Sequence, residues 1–338
     1  MLDYFGVDFV EISPIVSRDH EESCRKMVRA GLSAGIVAHL RALPEDIDVA
    51  LRCGVEWVAM YHSVSDIHLQ YKLKVSREEA IDRSLRAIEY AKAHGLKLRF
   101  TMEDTSRADP AFVREFVKAI VDAGADRIGV ADTLGVLKPT GMSRLVQLVR
   151  GVTDRPIDLH CHNDLGLALA NALAGLEAGG DQIHVSVNGL GERVGIVPLA
   201  EAALALILLY GVELNVRLEM LRELSDLVAQ YSGVPTPPSQ PIVGDNAYKH
   251  KAGTHVAAII RNPFAYELVP PRVVGNRRRV IFGELSGRNT AAFLMRVLGL
   301  NYSSEGAGKL TRALKELRIG DLFELPLTEE MEARLKVE

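Results

Sequence analysis

The chain carries almost no excess charge of either sign. Its 338 residues include 40 Lys and Arg against 44 Asp and Glu, a formal net charge of −4. No single-signed field results, which argues against nucleic acid as the main partner; Arg277-Arg278-Arg279 is a local exception. Cysteine is scarce, with Cys24, Cys53 and Cys161 odd in number and widely spaced. A disulfide scaffold is excluded on that count, and a reducing, cytoplasmic setting is expected. Long apolar runs are missing as well. The longest, near Leu199 to Leu209, contains Glu201 and is too short to span a bilayer, so it reads as a buried helix. The opening residues show no basic segment followed by an apolar one, so no secretory signal is visible.

What the chain does have is apolar content, 48% of positions, enough for one large core and a smaller appendage. A short pattern recurs: Gly, a small residue, an acid, any residue, then Val or Ile. It occurs at Gly6-Val7-Asp8-Phe9-Val10, Gly54-Val55-Glu56-Trp57-Val58, Gly124-Ala125-Asp126-Arg127-Ile128 and Gly179-Gly180-Asp181-Gln182-Ile183. Each copy ends a helix on glycine and launches a short β run. Further β runs lie at Gly35 to His39, Leu96 to Thr101 and Ile157 to His160. Helical periodicity fills the intervals, as at Arg77 to His94, and Pro110 and Pro139 suit first helical turns.

Alternating strands and helices with short links require a largely parallel sheet. Seven strands are expected, centred near residues 10, 37, 58, 99, 129, 158 and 184. Their even spacing predicts an α/β fold of the TIM-type (β/α)8 kind that lacks its first strand, with an open α/β sheet as the alternative. Met1 to Gly6 reads as the last turn of a helix, so an upstream strand is expected. The expected division is a barrel over 1–231, a Pro-rich linker over 232–242, and a mixed or helical region over 243–338. The best helices of that last region are Gly287 to Leu298 and Ala307 to Leu317.

The strongest chemical signal is His160-Cys161-His162-Asn163-Asp164, directly after a β run. Alternate strand residues face one way, so His160 and His162 can share a site while Cys161 packs on the other side. At the C-terminal end of a barrel strand that pair suits a divalent metal. Other strand ends offer Glu11, His39 with Arg41, His62, Arg99, Glu103-Asp104-Thr105, Asp132-Thr133, and Ser186 with Asn188. Singly, Glu11 or Asp132 could equally be a helix cap or half of a packing ion pair. The Gly189-Leu190-Gly191-Glu192-Arg193-Val194-Gly195 loop is either functional or a tight turn holding Glu192 against Arg193 or a neighbour. In the appendage, His250 or His255 could act as a general base and Tyr266 could donate a hydrogen bond.

Four segments together resemble the homocitrate synthase and 2-isopropylmalate synthase family. They are His160-Cys161-His162-Asn163-Asp164, Asn188-Gly189-Leu190-Gly191-Glu192-Arg193, Ala131-Asp132-Thr133-Leu134-Gly135 and His250-Lys251-Ala252-Gly253-Thr254-His255. The resemblance covers roughly residues 1 to 285. It implies condensation of acetyl-CoA with a 2-oxo acid, with a divalent metal (Mg, Mn or Zn) on His160 and His162. It implies His255 as acid/base, reaching the barrel of a partner subunit in a homodimer, with Tyr266 and Glu103 assisting. Arg99 and His39 would serve the distal carboxylate of 2-oxoglutarate, and Thr133, Glu11 and Ser186 would complete the substrate side. Arg99 favours homocitrate over 2-isopropylmalate or citramalate as product, because a charged distal group needs a fixed guanidinium. A lyase of the same metal-barrel superfamily stays open.

One departure from the family pattern matters. Its members open with a strand carrying Arg-Asp-Gly-x-Gln or a close variant, and no copy is present; Arg18-Asp19 falls in a loop after the second-strand position. The resemblance therefore implies that this chain lacks a metal-ligating aspartate and a ketone-binding arginine. Two expectations follow from that: a chain inactive as it stands, or a non-catalytic homologue that binds a 2-oxo acid.

Overall fold

A computed structural model describes residues 1–283, 286–316 and 323–335. The chain forms two compact units, Met1–Val216 and Arg217–Glu338.

The first unit is built on one parallel sheet whose seven strands stand side by side in chain order. They are β1 (Phe9–Ile12), β2 (Gly35–Arg41), β3 (Trp57–Ser63), β4 (Lys97–Glu103), β5 (Arg127–Asp132), β6 (Ile157–Cys161) and β7 (Gln182–Ile183). This is the expected set, one strand short of the eight that close a TIM barrel. The recurring glycines do what their sequence context predicts. Gly6, Gly54, Gly124 and Gly179 all take positive φ, between 77° and 109°, where the chain leaves a helix for the next strand. At Gly6 the constraint is also spatial, since an added Cβ would lie 2.2 Å from the Asn215 carbonyl oxygen. Helix starts follow the sequence too. Asp109 accepts a hydrogen bond from the Ala111 amide at 2.8 Å, and Pro110 occupies the first turn of Pro110–Asp122.

Strand β4 shows how the two faces of the sheet are divided. Leu98, Phe100 and Met102 are fully buried against the outer helices, where Phe100 packs 5.9 Å from Phe116 and Phe116 lies 5.8 Å from Phe112. Their neighbours Arg99, Thr101 and Glu103 take the opposite face. The apolar core thus lies between sheet and helices, and the inner face is polar. That inner face is curled. Arg99 on β4 bonds to Glu11 on β1 and to His184 just beyond β7. Strands three places apart in a flat sheet are separated by about 14 Å, so side chains can meet this way only around a half-barrel.

The apolar Leu199–Tyr210 segment is a helix as expected, with Ala202, Ala203 and Leu204 buried. No helix among the described residues is long and apolar enough to cross a membrane.

The second unit opens on a short 3-10 turn, Leu218–Met220, continues into the Leu221–Ser232 helix and carries a three-stranded mixed sheet. Strand β9 (Arg279–Phe282) lies in its centre, parallel to β8 (Lys249–His250) and antiparallel to β10 (Phe323–Pro326). The Pro-rich 233–241 stretch forms neither helix nor strand. The two helices expected here occupy Arg288–Val297 and Ser304–Lys315. The latter starts three residues earlier than its apolar pattern because Ser303 caps it, accepting from the Gly306 amide at 3.0 Å. Leu317, its expected last residue, lies outside the described residues.

The sheet-to-helix layer should carry most of the first unit's stability. Truncating fully buried Phe116 to Ala removes its contacts with both Phe100 and Phe112, and should cost about 3–5 kcal/mol in a urea titration. A loss below about 1 kcal/mol would mean that this layer is loosely packed.

Candidate active site

The alternation expected on β6 holds. Cys161 is fully buried in the outer core, where burial pushes its thiol pKa up. His160 and His162 converge on the inner side, their Nε2 atoms 3.3 Å apart. A third imidazole, His184, brings its Nδ1 to 3.3 Å from Nδ1 of His160. All three are held below the ordinary histidine pKa. Burial is the leading cause in each, followed by His184 for His160, Arg193 for His162 and Arg99 for His184. Neutral rings keep an unprotonated nitrogen, the form that ligates metal.

The cation at the centre of this face is Arg99, only 7% exposed. Its Nη2 donates to Glu11 Oε2 at 2.5 Å and its Nη1 meets His184 Nε2 at 2.7 Å. Burial would raise the Glu11 carboxyl, but the charges of Arg99, His39 and His184 and the Arg99 hydrogen bond outweigh it and hold the pKa at about 2. Asp158 adds a second layer. It is 1% exposed, accepts from Arg127 through both Nε and Nη2, and lies 3.6 Å from His184 Nε2. His39 stacks on Tyr61 at 4.9 Å and meets Ser13 Oγ at 3.3 Å. Burial foremost lowers its pKa too.

Several buried polar atoms on this face have no hydrogen-bond partner among the described residues: Arg99 Nε, Thr101 Oγ1 and His162 Nδ1. Orphaned donors of this kind are costly unless a ligand or water meets them. The two ring nitrogens at 3.3 Å match neighbouring ligands of one divalent ion, about 3.0–3.4 Å apart for nitrogen–metal bonds near 2.1 Å. No group of three or more His, Cys, Asp or Glu that could hold a metal ion occurs among the described residues. His160 and His162 therefore fit two corners of a coordination sphere and do not complete it.

The loops behind the pair are tied together. Buried Asp132 caps its own turn by accepting from the Val136 and Leu137 amides, both at 3.1 Å. Thr133 Oγ1 accepts from the Asp104 amide at 2.8 Å. Arg193 does not pair with Glu192; it forks onto Asp164 at 2.7 and 2.8 Å and donates to the Thr133 carbonyl at 2.6 Å. Ser186 Oγ closes its own loop on the Leu190 carbonyl at 2.6 Å. Gly195 is packed so closely that a Cβ would lie 1.7 Å from the Gly189 oxygen.

Glu103 belongs to a different cluster, with Ser63, His68 and Lys72. In the second unit, exposed His255 stacks on half-exposed Tyr266 with ring centroids 4.0 Å apart. His250 is instead buried in a network, its Nε2 3.2 Å from Glu267, whose carboxylate Arg278 grips at 2.6 Å through Nε and Nη2. Three residues of the inner face escaped sequence reasoning: His184, Asp158 and Thr101. Each follows by the same two-residue step that singled out His160 and His162, from Ser186, from His160 and from Arg99 or Glu103.

The family profile described as HMGL-like matches residues 1–228, and the one described as homocitrate synthase post-HMGL domain-like matches 242–320. A probable 2-isopropylmalate synthase of Methanopyrus kandleri is 44% identical over 317 residues, 94% of this chain and 64% of the relative. A homocitrate synthase of Sulfurisphaera tokodaii is 46% identical over 304 residues, 88% of this chain and 66% of the relative. The chain thus spans slightly under two thirds of the length of these curated relatives. Among solved structures, the Bacillus subtilis HMG-CoA lyase superposes with a TM-score of 0.64 at 20% identity, over 70% of this chain and 85% of that one. That likeness speaks for the fold alone.

The ion pair at the centre makes a pH prediction. The folded Glu11 pKa is lowered, so its stabilisation is complete above the unfolded carboxyl pKa and is lost as pH falls from about 4.5 towards 2. An Arg99→Met variant should melt below the parent at pH 7, and that gap should narrow as pH drops through this window. A gap that stays constant from pH 7 to pH 3 would contradict the pairing.

Proposed function

The chain belongs to the HMGL-like family, and from that premise we propose that it joins acetyl-CoA to a 2-oxo acid, 2-oxoglutarate first among them, giving homocitrate and free CoA. The observation that carries this reading is the buried Arg99 with Nε unpartnered, two residues along the same strand face from the unpartnered Thr101 hydroxyl. A distal carboxylate would offer acceptors to such donors, whereas an isopropyl group offers none. His39, close enough to Glu11 and Arg99 for their charges to affect its own titration, stands on the same side of the site.

In the reaction, a base takes a proton from the acetyl methyl of acetyl-CoA, and the resulting enolate carbon bonds to the ketone carbon of the 2-oxo acid. The ketone oxygen becomes an alkoxide and is protonated. Water then cleaves the thioester and releases CoA as a free thiol. We assign the base to His255, with Tyr266 assisting, both supplied in a homodimer by the 243–338 region of a partner subunit, and with Glu103 of the barrel assisting as well. Thr133, Glu11 and Ser186 are assigned to the substrate side. Thr133 and Ser186 do so while also holding backbone atoms of their loops. His160 and His162 are the proposed seat of a divalent ion, Mg²⁺, Mn²⁺ or Zn²⁺, which when bound would supply Lewis-acid polarisation of a ketone. The cell setting that suits this reading is the cytoplasm, in amino-acid biosynthesis and specifically the lysine branch.

One observation favours a second reading, 2-isopropylmalate or citramalate synthesis. Glu11 already neutralises Arg99, which makes the inner face less hungry for a second carboxylate. Free-thiol release separates the two, with acetyl-CoA, Mg²⁺ or Mn²⁺, and 2-oxoglutarate, 2-oxoisovalerate or pyruvate. We expect 2-oxoglutarate to give the highest kcat/KM. Arg99→Met should cost that substrate about 100-fold, the scale of a lost charge-assisted pair, and 2-oxoisovalerate far less. A preference for 2-oxoisovalerate would overturn the assignment of Arg99, and no thiol release with any 2-oxo acid, either by this chain or by one extended upstream through an Arg-Asp strand, would overturn the condensation.

A further inference from the structure

Between β3 and the Arg77–Ala93 helix the backbone does something costly. Residues Leu69–Leu73 form a π-helical turn, closed when the Lys74 amide reaches back to the Leu69 carbonyl. Lys74 itself takes the left-handed conformation at φ 56°, ψ 48°. π-turns are rare and left-handed non-glycine residues are strained, and both collect at functional sites. This strained turn delivers one side chain inward. Lys72 Nζ donates to both oxygens of Glu103, at 2.7 and 2.6 Å.

Glu103 ends the inner face of β4, and Ser63, at the end of β3, donates to its Oε2. His68, from the same segment as Lys72, has Nδ1 4.0 Å from Glu103 Oε1 and 3.3 Å from Ser63 Oγ. The other charged or titratable groups around Glu103 are Tyr61 and His62 on β3 and His39 on β2. Asp104 follows Glu103 in the chain but is turned away, gripped by Arg107 at 2.7 Å. Lys72 is therefore the one lysine or arginine hydrogen-bonded to the Glu103 carboxylate among the described residues.

We propose that Lys72 is a positioning residue that keeps Glu103 ionised and aimed for proton transfer in the condensation. The proposal rests on the assignment of Glu103 to the acid/base machinery. A carboxylate that accepts protons must be unprotonated at working pH. Burial would raise the Glu103 pKa, and the hydrogen bonds from Lys72 and Ser63 more than offset it, leaving the pKa below its ordinary value. The strained turn then has a purpose, since regular α-helical geometry would swing the residue at position 72 around the helix axis by about 100° per residue shifted.

The test is a ¹³C-carboxyl NMR titration of the glutamate-labelled chain as wild type, Lys72→Met, Lys72→Arg and Glu103→Gln, the last to assign the signal. Lys72 is half-exposed, so its replacement should leave the fold intact. We expect the Glu103 midpoint to rise by roughly half a pH unit or more in Lys72→Met and to return most of the way in Lys72→Arg. In thiol release, Lys72→Met should lower kcat more than it changes KM, and Lys72→Arg should restore most of the loss. A Glu103 midpoint unaltered by Lys72→Met overturns the proposal. Full thiol release by Glu103→Gln, with the midpoint still shifted in Lys72→Met, overturns instead the acid/base role of Glu103, and with it the catalytic purpose of Lys72, while the ion pair itself stands.

Discussion

The inner face of the sheet is organised around one guanidinium. Arg99 lies at the middle strand of seven and reaches Glu11 on the first strand and His184 beyond the last. Arg99 is buried while the Glu11 side chain stays 39% exposed, and taking the guanidinium out of water consumes most of the Coulomb energy of the pair, so it is a poor source of net stability. It is a strong constraint on geometry, however. Both partners must be placed so that the charge is met, and here that condition can be satisfied only with the sheet curled. On the same face, His162 and His184 each come within 3.3 Å of His160.

A second constraint acts from the loops. His162 is held by its own amide, which donates to the Asp132 carbonyl at 3.2 Å, and by pairing with Ile196. Arg193 crosses between the loops after β5, β6 and β7, binding Asp164 and the Thr133 carbonyl. Gly135 and Gly195 let backbone segments approach where any side chain would collide. The loops that surround the histidine pair are thus fixed by backbone contacts and charge. Pre-organised polar groups of this kind suit a reaction in which charge develops on an oxygen.

Much of this was legible in the amino-acid order. The recurring glycines marked strand starts because only a residue without Cβ leaves a helix at positive φ cheaply. His160 and His162 were legible because a two-residue period is the signature of one strand face. The same rule reached His184, Asp158 and Thr101 only in retrospect. β7 has two ladder residues, so it offers too short a pattern to weigh, and Asp158 sits among apolar neighbours that read as core. Partners were harder still. Nothing local in Gly189 to Gly195 says that Arg193 turns to Asp164, 29 positions earlier, rather than to the adjacent Glu192, because that choice is made by tertiary packing. The same holds for Lys72, whose reach to Glu103 depends on one π-turn that no propensity scale anticipates.

The central claim is that the buried Arg99 guanidinium, with its Nε unpartnered, is the recognition element for a substrate carboxylate. The ¹⁵Nε–¹H signal of Arg99, assigned with Arg99→Lys, reads that directly when the chain is titrated with 2-oxo acids in the presence of Mg²⁺. The account predicts a saturable shift with 2-oxoglutarate and little or none with 2-oxoisovalerate at equal concentration. An Arg99 Nε signal that ignores 2-oxoglutarate, while the acid is shown to bind by changes elsewhere in the spectrum, would contradict it.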